Sequence, residues 1–392
     1  MNKKYKDVSV LIFGASGRQA VPVIKGFYDL GCHVTTYCAS KKAPGYLTRY
    51  AENKVVFDAD NPEKLGYYEY GVKLIKENRY DIVVPVKDRA AIYLSKRKPE
   101  LEEYSKLAVN YWEEMQYAAD KALTMKVCEE EGIPAPRTVS GDNILEQIDS
   151  KGLMFPLVVK PRTEGGSAGF NIIKTREKLE KYLKNYNNEN GPLLCQEYIE
   201  QGDAPQYRAD FFRDRDGSFK MNIVGKNTRW YPLDGGFGIF AVTLHDDDII
   251  NNGKKLLDRI GWNGYANVDM VWDSRENKAK IIEINGRTGG SITLDYAAGL
   301  NVSQLILENE LGYPVTDMTE YEDNKKMSCF MIDVLWFIKS KNRFKTDPSW
   351  FNRFGAKDAI WSWADPMPGI GYLLECMSNL KKSSAKRKRI ED

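Results

Sequence analysis

Two short segments carry polar residues at a spacing suited to metal and phosphate chemistry. In KIIEINGR, Glu283, Asn285 and Arg287 alternate with Ile282, Ile284 and Gly286. A period of two puts the acid, amide and guanidinium on one strand face and turns the isoleucines to the core. Upstream, ANVDMVWD repeats the pattern with Asn267 and Asp269, and the intervening DSRENK reads as a turn centred near residue 276. An antiparallel hairpin folded there pairs 269 with 283 and 267 with 285. Asp269 and Glu283 then repel across the ladder unless a cation sits between them. Oxygen ligands with an amide suit Mg²⁺, which takes one or two carboxylates and completes its shell with water and phosphate oxygens. A surface hairpin with incidental charges is the other reading.

Two glycine loops are candidates for binding anions. Lys160 ends the apolar run LVVKP beside Thr163-Glu-Gly-Gly-Ser-Ala-Gly169, where small residues let backbone N–H groups close on phosphate oxygens. This strand–loop–strand lacks the Gly-Lys-Ser/Thr helix start of a P-loop, and by itself it reads equally well as a mobile hairpin. The earlier loop, Gly14-Ala15-Ser16-Gly17-Arg18-Gln19-Ala20, follows a strand and opens a helix. Its G-x-x-G-x-x-A spacing departs from the dinucleotide pattern, and Cys38-Ala39-Ser40 stands where a ribose-binding acid belongs. Lys41 and Lys42 leave NADP open. A tight strand–helix turn or a small-substrate pocket are the alternatives.

These segments need a scaffold. Short apolar runs at VSVLIF (8–13), HVTTY (33–37) and YDIVVPV (80–86), separated by helical patterns, predict a parallel α/β layer over residues 1 to about 110. A charged, helical stretch from Lys98 to Glu131 ends at Gly132-Ile-Pro-Ala-Pro136. Beyond it the texture is antiparallel α+β, with strands expected at 157–161, 170–175, 193–199, 207–213, 219–226, 266–273 and 278–285. Met331–Ile338 has the length of a core strand. The region 326–376 is rich in aromatics (Trp336, Phe337, Trp350, Phe351, Trp361, Trp363) that read as core before carbohydrate platform.

The 392 residues hold 42% apolar and 29% charged residues, which excludes collagenous, disordered and disulfide-scaffold classes. No run reaches the roughly 18–20 apolar residues of a membrane span, and MNKKYKDVSV has no signal-peptide core, so a cytoplasmic protein is expected. The final KKSSAKRKRIED holds six Lys/Arg against two acids, leaving a body close to neutral with no field for nucleic acid. That tail is a phosphate-binding or targeting arm, or a solvated and disordered terminus. Six scattered cysteines fit reduced thiols, and two histidines, His33 and His245, exclude a His-rich metal site. Catalysis is left to carboxylates, cations and bound metal.

Lys121, Lys160 with its loop, Gln196-Glu197-Tyr198-Ile199, Asp269 and Glu283-x-Asn285-x-Arg287 follow one another in an order and spacing that resembles the ATP-grasp superfamily, in particular the biotin-carboxylase and carbamoyl-phosphate-synthetase-like carboxylate–amine ligases. The resemblance spans about residues 1–325; the last 65 residues look most like D-aspartate-ligase-type members. It implies a Rossmann-like pre-ATP-grasp α/β domain (1–115), a two-part α+β ATP-grasp domain (116–325, with a lid subdomain at about 122–200), a C-terminal extension (326–376) and a basic tail (377–392).

The resemblance also implies roles. Lys121 and Lys160 contact ATP phosphates while Gly165, Gly166 and Ser167 close over them. Glu197 accepts from the adenine amino group, and the backbone of Tyr198 and Ile199 forms the hinge edge. Asp203 stands in for an absent ribose-binding acid, since Pro205-Gln206-Tyr207-Arg208 occupies that run. Asp269, Glu283 and Asn285 hold one or two Mg²⁺, or Mn²⁺. Arg287 stabilises the transferred phosphoryl group, with Lys160 beside it, and Arg208 faces an anionic substrate.

The implied reaction is ATP-dependent joining of a small carboxylate, an amino acid by its cations, to an amine through an acyl phosphate. A carboxylate kinase or carboxylase is the alternative within the superfamily; an NADP-dependent oxidoreductase or a non-catalytic nucleotide binder lies outside it. Partners are small molecules, with neither nucleic acid nor membrane, and a homodimer follows from base rates.

Overall fold

A computed structural model describes residues 5–60, 63–163, 169–188, 190–200, 205–233, 236–374 and 376. Three sheets organise them. The first is five-stranded and parallel, in the order β3-β2-β1-β4-β5: β1 Ser9–Phe13, β2 His33–Cys38, β3 Asn53–Val56, β4 Ile82–Pro85 and β5 Lys106–Leu107. The run VSVLIF is apolar throughout because both sheet faces are covered. Leu11 and Phe13 pack into one core while Val10 and Ile12 pack into another.

Residues 98–131 depart from the single helical stretch expected. They form helices Lys98–Leu101, Trp112–Ala119 and Lys121–Glu131, with β5 between the first two. Leu107 completes the parallel sheet by pairing with Val83. Asp120 then breaks the chain direction, because its carboxylate caps the last helix by accepting from the Ala122 amide at 2.9 Å.

The second sheet is antiparallel, in the order β6-β9-β7-β8: β6 Thr138–Ser140, β7 Leu157–Pro161, β8 Asn171–Ile173 and β9 Leu193–Glu197. Helix Arg176–Asn185 closes its small core through Leu179. The third sheet has seven strands in the order β14-β13-β10-β11-β12-β15-β16: β10 Gln206–Arg213, β11 Phe219–Tyr231, β12 Phe237–Leu244, β13 Gly264–Asp273, β14 Lys278–Asn285, β15 Lys326–Ser328 and β16 Lys357–Asp358.

The segment expected as a separate extension therefore supplies two strands of the same sheet. Its apolar run 331–338 lies in a helix, Phe330–Lys339, not a strand. The buried residues Ile332, Asp333 and Trp336 fall on one helical face, a period that so short an apolar run does not reveal. Asp333 holds the fully buried Arg229 by two bonds of 2.9 and 3.0 Å, which ties this helix to β11. Phe351 and Trp363, by contrast, are largely exposed.

Candidate active site

The β13–β14 hairpin pairs Asp269 with Glu283 and Asn267 with Asn285, the register anticipated from the alternation. Between Asp269 and Met270 the register slips, leaving Ile282 unpaired. The bulge changes which isoleucines are buried: Ile281 and Ile284 enter the core and Ile282, expected there, is half-exposed.

Around the acid pair the structure collects cations from three directions. Lys121, at the start of its helix, places its ammonium 3.3 Å from Glu283. That helix start is tied to the strand carrying Lys160, since the Lys121 amide donates to the Arg162 carbonyl at 3.1 Å and Arg162 Nε donates to Asp120 at 3.0 Å. Burial pushes the Lys160 ammonium down to about 8; Glu283 opposes that shift and Lys121 adds to it. Arg287 donates from Nη2 to Asn285 at 2.9 Å and to Asp88 at 3.0 Å, so the first domain reaches into the site.

The acids are under strain of charge. Burial, then repulsion from Glu283, pushes the Asp269 carboxyl up to about 7, against the pull of Arg287 and a 3.0 Å hydrogen bond from Asn285. A half-buried carboxylate raised by a facing carboxylate is the environment that a divalent cation neutralises. Asp269 and Glu283 thus fit a hard cation of the Mg²⁺ class. The Asn285 oxygen already accepts from Arg287, and its Nδ2 donates to Asn267 and Asp269, so it would share that oxygen with a metal.

Several expected residues are placed differently. Arg208 does not face a substrate. It is 1% exposed, paired with Asp210 and, at 2.7 Å, with Asp295, and Nη2 donates to the Ser291 carbonyl at 3.1 Å. Gly225, its neighbour on β11, leaves room that a Cβ would fill 3.0 Å from Nε. Arg208 therefore supports the 287–291 segment from beneath.

Glu197 is also engaged: Lys280 Nζ donates to one carboxylate oxygen at 2.9 Å and Arg137 Nε to the other at 3.2 Å. Burial works to raise its pKa, but Lys280 and Arg137 outweigh that and hold it below the carboxylate range. The side chain assigned to adenine is committed to two cations, and Tyr198 and Ile199 directly follow β9. Gly165, Gly166, Ser167 and Asp203 lie outside the described residues, as does the basic tail. Gly169, which ends the loop, has φ +69° and packs on Pro161.

In the first glycine loop, the amides of Gly14 and Ala15 both donate to the Tyr37 carbonyl, and Gly45 is seated against Ala15. Those contacts fix the turn between β1 and the helix that follows it. His33 and His245 sit at the surface against Glu52 and Asp323.

Asp88, Lys280 and the Asp210–Arg208–Asp295 cluster escaped the sequence reading. Their partners lie up to 199 residues away, and only Asp88, the first residue of a helix after β4, carries a local cue. Among the described residues, one group of three acids could converge on a metal, Glu197, Asp273 and Glu276, but Lys280, Arg275 and Arg137 already neutralise it.

Comparison with known proteins places this geometry. Residues 118–291 match the family model described as an ATP-grasp domain. The chain is 25% identical over 305 residues to the D-aspartate ligase of Enterococcus faecium, covering 70% of each. It is 27% identical over 207 residues to the D-alanine–D-alanine ligase of Carboxydothermus hydrogenoformans, covering 47% of this chain and 65% of that one.

Among solved structures, the biotin carboxylase domain of Hydrogenobacter thermophilus 2-oxoglutarate carboxylase, in complex with MgADP and bicarbonate, superposes with a TM-score of 0.66 at 17% identity, covering 81% of this chain and 73% of that one. The L-amino acid ligase of Bacillus licheniformis gives 0.59 at 18% identity, covering 79% and 75%. The chain is thus similar to ATP-grasp proteins, and the match to the ATP-grasp domain model lies at residues 118–291.

Proposed function

We propose that this protein is an ATP- and Mg²⁺-dependent carboxylate–amine ligase that joins a small carboxylate, an amino acid or a close relative, to an amine and releases ADP and phosphate. The observation that carries this reading is the Asp269–Glu283 pair with Lys121 and Lys160 converging on it. The D-aspartate, D-alanine–D-alanine and L-amino acid ligases among its relatives support the amino-acid class.

In this proposal Asp269 and Glu283, with a share of Asn285, hold Mg²⁺, which when bound neutralises charge on the phosphate oxygens. Lys121 and Lys160 take the remaining phosphate charge. The substrate carboxylate attacks the γ-phosphorus, the bond to the β-bridging oxygen breaks, and an acyl phosphate forms. The amine then adds to the acyl carbon, loses a proton and expels phosphate. Arg287 turns from Asp88 and Asn285 to the transferred group. No side-chain nucleophile enters; positioning and charge neutralisation carry the rate. Residues 163–169 shield the acyl phosphate from water. The cytoplasm as location and a homodimer as assembly belong to the same proposal. Among the described residues, no helix is long and apolar enough to cross a membrane.

A phosphate-release screen with ATP, Mg²⁺ and a matrix of amino-acid pairs, D-isomers included, tests it. Release requiring both members of a pair is expected. Release with a carboxylate alone, trapped by hydroxylamine, would identify a kinase.

A further inference from the structure

Three arginines are buried to 5% exposure or less among the described residues: Arg18, Arg208 and Arg229. Arg208 has Asp210 and Asp295, and Arg229 has Asp333. Arg18, in the first glycine loop, has no ion pair among the described residues; its guanidinium hydrogen-bonds the Cys329 thiol, and its Nη1 has no hydrogen-bond partner.

Two of its ionisable neighbours, Cys329 and Tyr372, supply no negative charge. The Cys329 thiol is raised by burial to about 11 and stays protonated, and the Tyr372 phenol is held well above its ordinary value by burial. Asp358, beside Cys329, is tied to the amides of Phe330, Ile360 and Trp361 at 2.8–3.0 Å. Burying a cation without a counter-ion is unfavourable, which a fold tolerates where a ligand supplies the anion.

The surroundings fit a small anion with an organic body. The Arg18 guanidinium stacks 4.6 Å over the Phe237 ring. Its Nη2 lies 3.1 Å from where a Cβ on Gly290 would stand, so a side chain there would press on the guanidinium. Lys87 Nζ comes within 2.8 Å of the equivalent point on Gly17, bringing a second cation to the same turn. Gly290 is three residues beyond Arg287, a reach of at most about 10 Å of extended chain. A molecule whose reacting group meets Arg287 can therefore place a second charged group on Arg18.

We propose that Arg18, with Gly290 and the Phe237 ring, binds a carboxylate of one substrate that does not itself react, so that this substrate is an amino acid or peptide terminus and not a simple amine. The assignment rests on the ligase reading and adds the anion that the substrate must carry. Arg18 is a specificity residue; it takes no part in phosphoryl transfer.

The test uses the full chain and compares phosphate release for amino-acid pairs with release for the same pairs in which one member is its α-amide. One amide is expected to be rejected by the natural protein. Arg18→Gln should raise KM for the corresponding acid roughly 10- to 100-fold, the scale of a lost charge-assisted hydrogen bond, leave kcat and the KM for ATP nearly unchanged, and remove the discrimination between acid and amide. Arg18→Lys should fall between the two.

Because the substitution deletes an uncompensated buried charge, ligand-free Arg18→Gln should melt no lower than the natural protein. An unchanged KM, or a lower melting temperature with unaltered kinetics, overturns the proposal. If no pair releases phosphate, the ligase reading falls first, and calorimetric titration of the same acids and amides into nucleotide-free protein decides for Arg18. Acid binding lost in Arg18→Gln sustains the site; equal binding, or none, removes it.

Discussion

The β13–β14 hairpin holds a charged cluster at each end, and the two behave oppositely. At the turn end, Glu197, Asp273 and Glu276 meet Arg137, Arg275 and Lys280. Hydrogen bonds from Arg275 lead the shift that holds Asp273 far below the carboxylate range, and Lys280 and Arg275 are raised. Every partner there stabilises the other's charged form. At the open end, Asp269 is raised and Lys160 lowered. Cations and acids also stand close there, yet burial and a like-charge neighbour leave Asp269 and Lys160 short of compensation. Equal counts of acids and bases thus separate a structural cluster from one that awaits a ligand only when their titration is considered.

The sharpest way to break this contrast is Glu283→Gln, which should reduce phosphate release by ~10²–10³ or more, the cost of losing a charge clamp, with little effect on folding. Unaltered release would remove the metal assignment. At the other end, Lys280→Ala leaves the buried Glu197 and Asp273 without their shared cation and should cost about 3–5 kcal/mol of stability in a denaturant titration. Its kcat at saturating ATP should move little; a large fall in kcat with full stability would reverse the two roles.

Arg287→Lys keeps the charge but loses the planar guanidinium whose Nη2 reaches Asp88 and Asn285 while Nη1 reaches the Thr288 carbonyl, and kcat should drop about tenfold to 100-fold. The smallest effect is a proton. With Asp269 near 7, binding of Mg²⁺ and nucleotide at pH 6 should release up to about one proton, and at pH 8 almost none, read by calorimetry in buffers of different ionisation enthalpy.

The same group sets a stability trend for the ligand-free protein. A carboxyl raised in the folded state contributes stability below its unfolded value that is lost as pH rises through about 7. Asp273, depressed, does the reverse, and its contribution disappears only in strong acid. Glu283→Gln should flatten the first trend and leave the second.

The hairpin register was legible because polar and apolar residues alternate over both strands and a polar turn fixes their pairing. The bulge at Ile282 was not, since two adjacent isoleucines, Ile281 and Ile282, carry no mark of which one slips. Arg208 reads as a substrate ligand from the resemblance, as a cation at that place in the chain; Asp295, 87 residues on, is what buries it. Asp88 shows the same limit from the other side, since one acid at a helix start has no pattern until Arg287 is folded against it. Residues 326–376 resembled an appendage for want of long strands, yet two short strands suffice to extend a sheet edge.

That edge bears on how the protein can be cut. A fragment ending at residue 291, where the family match stops, would strip the hydrogen-bonding partner from β12 and take Asp333 away from Arg229. It would present a bare strand rim above a stranded interior guanidinium, an invitation to clumping. Anyone seeking a minimal soluble catalyst should trim from elsewhere and keep the chain through Tyr372, whose ring is packed into the same apolar cluster as Ile332 and Trp336.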